Sequence, residues 1–242
     1  MSKNEAPQHA RKPEAGALRE AGLSKPVVTA GSGELVGYFG YGSLVNRATL
    51  RTEVIAAVPA RLAGWRRTWR PRPDMGPTPG VVLPDGLTPS LLTAHRAPGA
   101  AIDGMLVIDR AENLGAIDAR EFRYHRRDIS LAELEFHGGG SLDAVGIPRE
   151  INLHVYEARI EHPQCAGPSP ILRSYLDAVM QGFYREFGAD GVHRFVTETD
   201  AFHHPIHEDR HAPLYPRAVT LTAGETELFD LVLGRRAHGP GG

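Results

Sequence analysis

Apolar and polar positions change their period about two thirds of the way along the chain. The first part carries short apolar runs and period-two alternation, the pattern of strands. Leu35 to Tyr41 (LVGYFGY) has the apolar and aromatic content of a first strand. Ile55 to Trp69 holds two further strand-like stretches, separated by Gly64. Gly80 to Leu83, Leu91 to Ala94 and Ile102 to Ile108 continue the β character, and Asn152 to Ile160 alternates cleanly. One helix interrupts this part. Asp109 to Phe122 is amphipathic, with Asp109 as cap and Glu112 three residues later as its capping-box partner. The last third changes to helical spacing. Leu172, Leu176, Val179, Met180 and Phe183 form one stripe of a helix over Pro170 to Phe187, opened by Ser169 and Pro170 and ended by Gly188. Val192 to Phe195 predicts a short helix. Thr222 and Glu225 form a capping box for a last helix through Leu228, Leu231 and Val232. Strands first and helices later predict an α+β fold, a mixed barrel or sheet with packed helices.

The ends read differently from the middle. Residues 1–33 are rich in Ala, Gly, Pro and charge and predict a flexible tail, leaving 34–237 as the folded domain. His238 to Gly242 also reads as loose. In 242 residues, 27 Lys and Arg face 29 Asp and Glu, a balance that argues against nucleic-acid or membrane-surface partners. No apolar run reaches the length of a membrane span. Cys165 is the single cysteine, so no internal disulfide can form, and a reducing, cytoplasmic setting fits.

The candidate chemistry starts at Glu121. Leu114 and Ile117 are three apart and Glu121 follows four later, which places a carboxylate on the apolar face. Buried there, it would have the raised pKa that a general base near neutral pH needs; at a fraying helix end it would merely reach solvent. Phe39-Gly40-Tyr41-Gly42-Ser43-Leu44 is the second feature. A strand running into Gly-Ser-Leu can present consecutive backbone N–H groups to an anion, or it can be an ordinary turn. It is neither a P-loop nor a dinucleotide fingerprint, and Ser43 lacks the setting of a nucleophile elbow.

Weaker features carry bland alternatives. His203, His207 and His211 have a helical metal spacing, but Pro205 interrupts them, so a polar loop is the competing reading. Gly138 to Gly140 reads as a flexible loop or a lid. The Arg61 to Arg72 stretch, with Trp65 and Trp69, could stack nucleic acid. Its plainer reading is a strand pair whose arginines cover a sheet face or pair with acids. Arg210 and Arg217 read as partners of carboxylates.

Taken together, three pieces resemble the γ-glutamylcyclotransferase-like proteins. They are Phe39 to Leu44, the strand Ile102 to Ile108 leading into Ile117-Asp118-Ala119-Arg120-Glu121-Phe122-Arg123-Tyr124, and Ala60 to Arg67. They span roughly residues 36 to 130 in matching order. The resemblance implies a small mixed β-barrel with flanking helices and a helical C-terminal extension. It implies Glu121 as acid/base, Gly40, Tyr41, Gly42, Ser43 and Leu44 as substrate-binding backbone, and Tyr124 as a pocket wall. It also implies a small γ-glutamyl substrate, no cofactor and no metal, with release of 5-oxoproline. The alternative is a non-catalytic ligand-binding or amidase-pathway accessory member. The chain departs from the pattern at Phe122, where many members have glycine.

Overall fold

The computed structural model describes residues 34–50, 53–78 and 80–237. The expected tail, residues 1–33, and the expected loose end, 238–242, lie outside the described residues. The fold is α+β, built on one seven-stranded mixed sheet. Its centre is β1 (Leu35–Gly40), paired antiparallel with β3 (Ser90–Arg110) and parallel with β6 (Asn152–Ala158). β4 (Tyr124–Ile129) extends the β6 side, and β2 (Ala56–Pro71) then β5 (Leu134–Phe136) extend the β3 side. The described strands form an open path ending at β4 and β5, so the expected barrel is an unclosed sheet.

β2 and β3 make one long hairpin, where the sequence suggested four separate strands. Ala56, Val58, Ala60 and Leu62 are buried on β2; beyond Gly64 the buried set becomes Trp65, Arg67 and Trp69. A bulge between Ala63 and Trp65 takes up the extra residue, with Gly64 at φ 78°. That left-handed conformation is one glycine adopts at little cost. The bulge explains the apparent break: the strand continues, and only its parity changes. Gly80 to Leu83, expected as a strand, is irregular. Trp65 and Trp69 are each 1% exposed, so they are core side chains and no stacking platform. Their neighbouring arginines pair with acids, Arg61 with Asp103 and Glu198 and Arg66 with Asp200.

The helix expected over Asp109 to Phe122 is shorter. Asp109 belongs to β3, a 3-10 turn covers Ala111–Asn113, and α1 spans Leu114–Arg120. The Asp109 carboxylate accepts from Arg110 N and the Asn113 side chain instead of capping a helix. The C-terminal third begins with β7 (Ile171–Leu172), which pairs with β9 (Ile206–His207). Pro170 therefore precedes a strand and opens no helix. α2 (Arg173–Thr197) comes next and is broken at Gly188, where φ is 66° and ψ −167°, the point at which the sequence predicted its end. The expected helix at Val192 to Phe195 is the second limb of α2. β8 (Thr199–Asp200) joins β2 in parallel. α3 (Ala223–Ala237) carries the expected capping box, with Thr222 N donating to Glu225 and Glu225 N donating to Thr222 Oγ1.

α2 fixes the position of the chain leaving β1. Its buried stripe, Leu176, Val179, Met180 and Phe183, packs into the sheet core. Asn46, just after β1, donates from Nδ2 to Ala178 O and to Gln181 Oε1. These buried hydrogen bonds pin the segment after β1 onto α2. Among the described residues, no helix is long and apolar enough to cross a membrane.

Candidate active site

β1 ends at Gly40, and the chain bends through Tyr41 and Gly42 into a 3-10 turn, Ser43–Val45. The first N–H groups of such a turn have no acceptor within it. Tyr175 of α2 covers the turn, its hydroxyl bonded to the Ser43 backbone. A Cβ on Gly42 would lie 2.8 Å from the Tyr175 hydroxyl and 3.3 Å from Leu92 Cδ2, so a side chain there would collide. The sequence singled out Gly42 for close approach by a ligand; the structure shows close approach by Tyr175.

Glu121 arrives from the other side. It is the C-terminal cap residue of α1, with its N–H bonded to Ile117 O. Ile117 is buried, so the helix face read from the sequence does point inward. The helix nevertheless ends at Arg120, and Glu121 turns into a recess instead of into solvent. Its side chain is 17% exposed. Gly40, Tyr41, Gly42, Ser43, Leu44, Glu121 and Tyr124 all line this one recess. The residues implied by the resemblance are thus brought together from two distant parts of the chain.

Tyrosines wall the recess. Tyr41 donates to Tyr156 O at 2.5 Å, Tyr124 to Leu92 O at 2.9 Å, and Tyr156 to Asp118 Oδ1 at 2.8 Å. Burial, with a contribution from the Glu121 charge, raises the pKa of Tyr41, Tyr124, Tyr156 and Tyr175. All four hydroxyls therefore stay protonated across the working range of a protein. They surround the carboxylate with neutral groups fixed to the frame.

Burial raises the Glu121 pKa above the ordinary carboxylate value; Arg120 and Arg217 oppose that shift without cancelling it. Arg120 Nε lies 3.0 Å from Glu121 Oε1. The same guanidinium donates to Ser43 Oγ at 3.2 Å and Thr49 O at 3.3 Å, so it ties Glu121 to the turn after β1. A carboxylate held in place, raised in pKa and facing a backbone turn can accept and return a proton beside an anchored polar group.

A larger cavity of about 300 Å³ adjoins the recess and shares Ser43, Leu92, Glu121, Tyr124 and Tyr175 with it. Its lining adds Arg72, Arg120, Arg123 and Arg217. Arg217 was expected to pair with a carboxylate. It lies over the Tyr215 ring, donates to its hydroxyl and lowers the Glu121 pKa from within the cavity. Arg210 behaves as expected, bonding Asp177 and Asp230. Tyr156, Tyr175, Arg120 and Arg217 escaped sequence reasoning as site residues. Arg120 adjoins the glutamate, but no spacing marks the others.

The remaining candidates lie elsewhere. The His203 to His211 segment is bends and a two-residue strand, so its helical metal spacing is not realised, and the described residues contain no cluster suited to a metal ion. His204 Nδ1 sits 2.9 Å from both Ser90 Oγ and Ser169 O, a polar loop contact. Gly138 to Gly140 flanks β5, where His137 contacts Asp103 and Phe187; neither cavity includes it, so it forms no lid there.

No protein-family model matches the chain, and no curated protein sequence matches it. Solved structures resemble it at low identity. A protein described as a gamma-glutamyl cyclotransferase is 13% identical with a TM-score of 0.48, covering 82% of this chain and 99% of its own. The uncharacterized protein loc79017 from Homo sapiens is 13% identical with a TM-score of 0.47, covering 81% and 99%. A yeast gamma-glutamyl cyclotransferase specific to glutathione is 15% identical with a TM-score of 0.39, covering 86% and 100%. At these levels the likeness is distant, and it assigns no activity to the chain.

Proposed function

We propose that the chain is a cyclotransferase that releases 5-oxoproline from a small γ-glutamyl amide. One observation carries the reading: a carboxylate with a raised pKa, Glu121, shares a tyrosine-walled recess with the backbone turn at Gly42 to Leu44. A γ-glutamyl amide supplies its own nucleophile, the α-amine, which is mostly protonated at neutral pH. Glu121 takes that proton. The amine nitrogen attacks the γ-carbonyl carbon and closes a five-membered ring through a tetrahedral oxyanion. Glu121 delivers its proton to the departing nitrogen as the bond from carbon to that nitrogen breaks. The ring nitrogen's second proton then passes to Glu121 and on to the released amine, so a neutral lactam and a protonated amine leave and the carboxylate is regenerated.

The residues divide this work. Glu121 moves the proton, and its raised pKa brings it closer to the amine it must deprotonate. Backbone N–H groups of the Gly42 to Leu44 turn left free by Tyr175 stabilise the oxyanion or the α-carboxylate. Tyr41, Tyr124 and Tyr175 hold the chain folded toward its cyclised shape; such orientation can supply several kcal/mol, a fraction of the roughly 7–11 kcal/mol available to well-oriented intramolecular reactions. The test is 5-oxoproline release from a panel of γ-glutamyl amino acids, glutathione and γ-glutamyl amines. Turnover of at least one supports the reading. Binding without turnover of any would favour a ligand-binding role for the same recess.

A further inference from the structure

The larger cavity is lined by four arginines and by a single acid, Glu121. Two of the arginines are engaged around the recess. Arg120 serves Glu121, Ser43 and Thr49, and Arg217 serves Tyr215. The other two, Arg72 and Arg123, have no carboxylate within ion-pair distance among the described residues. Arg123 is 7% exposed and lies over the Phe122 ring, 4.1 Å from its centroid. It donates from Nη1 to Thr78 Oγ1 at 2.8 Å and from Nη2 to Gly76 O. Its Nε, and that of Arg72, are buried without a hydrogen-bond partner. Among the described residues neither guanidinium forms an ion pair. Burial and the neighbouring Arg72 lower the pKa of Arg123, and Cys165, Tyr124 and Asp74 offset this only in part. Two neighbouring like charges, with buried donors unused, are costly unless an anion completes them.

We propose that Arg72 and Arg123 form a subsite for a carboxylate on the departing amine, so that γ-glutamyl amino acids and peptides are preferred over γ-glutamyl amines. The inference rests on the cyclotransferase reading, which puts the γ-carbonyl beside Glu121 and the departing group in the larger cavity. Phe122 braces Arg123 from one face while Thr78 and Gly76 hold its Nη atoms. Arg123 is therefore oriented before substrate arrives. A cationic departing group meets a positive wall there and is rejected.

The experiment compares γ-glutamyl-alanine with γ-glutamyl-ethylamide, which differ by that one carboxylate, on the full chain. The wild type should favour the alanine compound by about tenfold or more in kcat/KM, the worth of a charge-assisted hydrogen bond. Arg123→Gln and Arg72→Gln should each shrink that ratio by about tenfold, mainly through KM, with Arg123→Lys intermediate because it keeps the charge and loses the fork. Arg72 is the less buried of the two, so Arg72→Gln carries the test if Arg123→Gln fails to fold. A wild-type ratio near one, or a ratio unchanged in the folded variants, overturns the subsite. If neither compound yields 5-oxoproline, the wider substrate panel decides the cyclotransferase reading, and calorimetric titration of the same two compounds decides the subsite alone. Tighter binding of the alanine compound, abolished by Arg72→Gln, upholds it; equal binding or none sinks it.

Discussion

Asp103 and Glu121 are two enclosed carboxylates on one sheet scaffold, and their titration is displaced in opposite directions. Asp103, on β3, is fully buried. Burial alone would push its pKa up, yet hydrogen bonds from Arg194 and Arg61 outweigh it and hold the group below the ordinary range. Arg194 Nε is 2.6 Å away and Arg61 Nη1 2.8 Å, with His137 Nε2 at 3.3 Å. Glu121 has Arg120 at 3.0 Å, and that guanidinium is shared with Ser43 and Thr49. Burial therefore wins at Glu121 and loses at Asp103. The number of cations committed to a carboxylate, together with its desolvation, separates a structural anion from one poised to exchange a proton.

The contrast between the two carboxylates can be broken in several places. Asp103→Asn leaves Arg61 and Arg194 around a neutral amide and should cost about 3 kcal/mol, the low end for a broken buried pair because Arg194 reaches solvent. Urea denaturation reads it, and a loss below about 1 kcal/mol would mean that the cluster is not what secures this part of the sheet. Glu121→Gln preserves shape and removes the proton acceptor, so 5-oxoproline release should fall by about 10² or more. Near-normal release by that variant ends the proposed mechanism.

Smaller effects sharpen the contrast. The acid limb of the wild-type kcat profile should lie above the ordinary glutamate value of 4.5, because burial raises Glu121. A limb at or below that value would place the working carboxylate elsewhere. The same shift has a stability consequence. With its folded pKa raised, Glu121 contributes stability that is complete below pH 4.5 and is lost as pH rises through the folded pKa. Glu121→Gln should thus raise Tm modestly at about pH 8, and the gain should vanish at about pH 4. Thermal unfolding at the two pH values measures it; a lower Tm at the higher pH would show that the Arg120 pairing outweighs burial.

Local signals read well from the chain wherever one residue type dictates one conformation. β-Branched and aromatic content marked β1, clean alternation marked β6, Gly188 marked the break in α2, and Thr222 with Glu225 marked the start of α3. The errors lie where local chemistry has two outlets. Asp109 has the chemistry of a cap, but its carboxylate bonds Arg110 N and Asn113 from within a strand. Gly64 reads as a strand break, yet the hairpin carries straight through it as a bulge.

The sequence by itself determined which residues have the chemistry of the site: a glutamate following an apolar helical face, and a glycine-serine turn closing a strand. Only the tertiary structure decided that they meet. Glu121 and the Ser43 turn are drawn together by β1 pairing with β3, by Asn46 anchoring to α2, and by Arg120 spanning the gap. Tyr156, Tyr175 and Arg217 come from β6, from α2 and from the segment before α3, and no sequence interval relates them to Glu121. The physical reason is the range of the forces involved. Propensity, capping and periodicity act over a few residues, whereas the burial that raises a carboxylate and the cation count that lowers it are sums over everything the fold brings within a few ångströms.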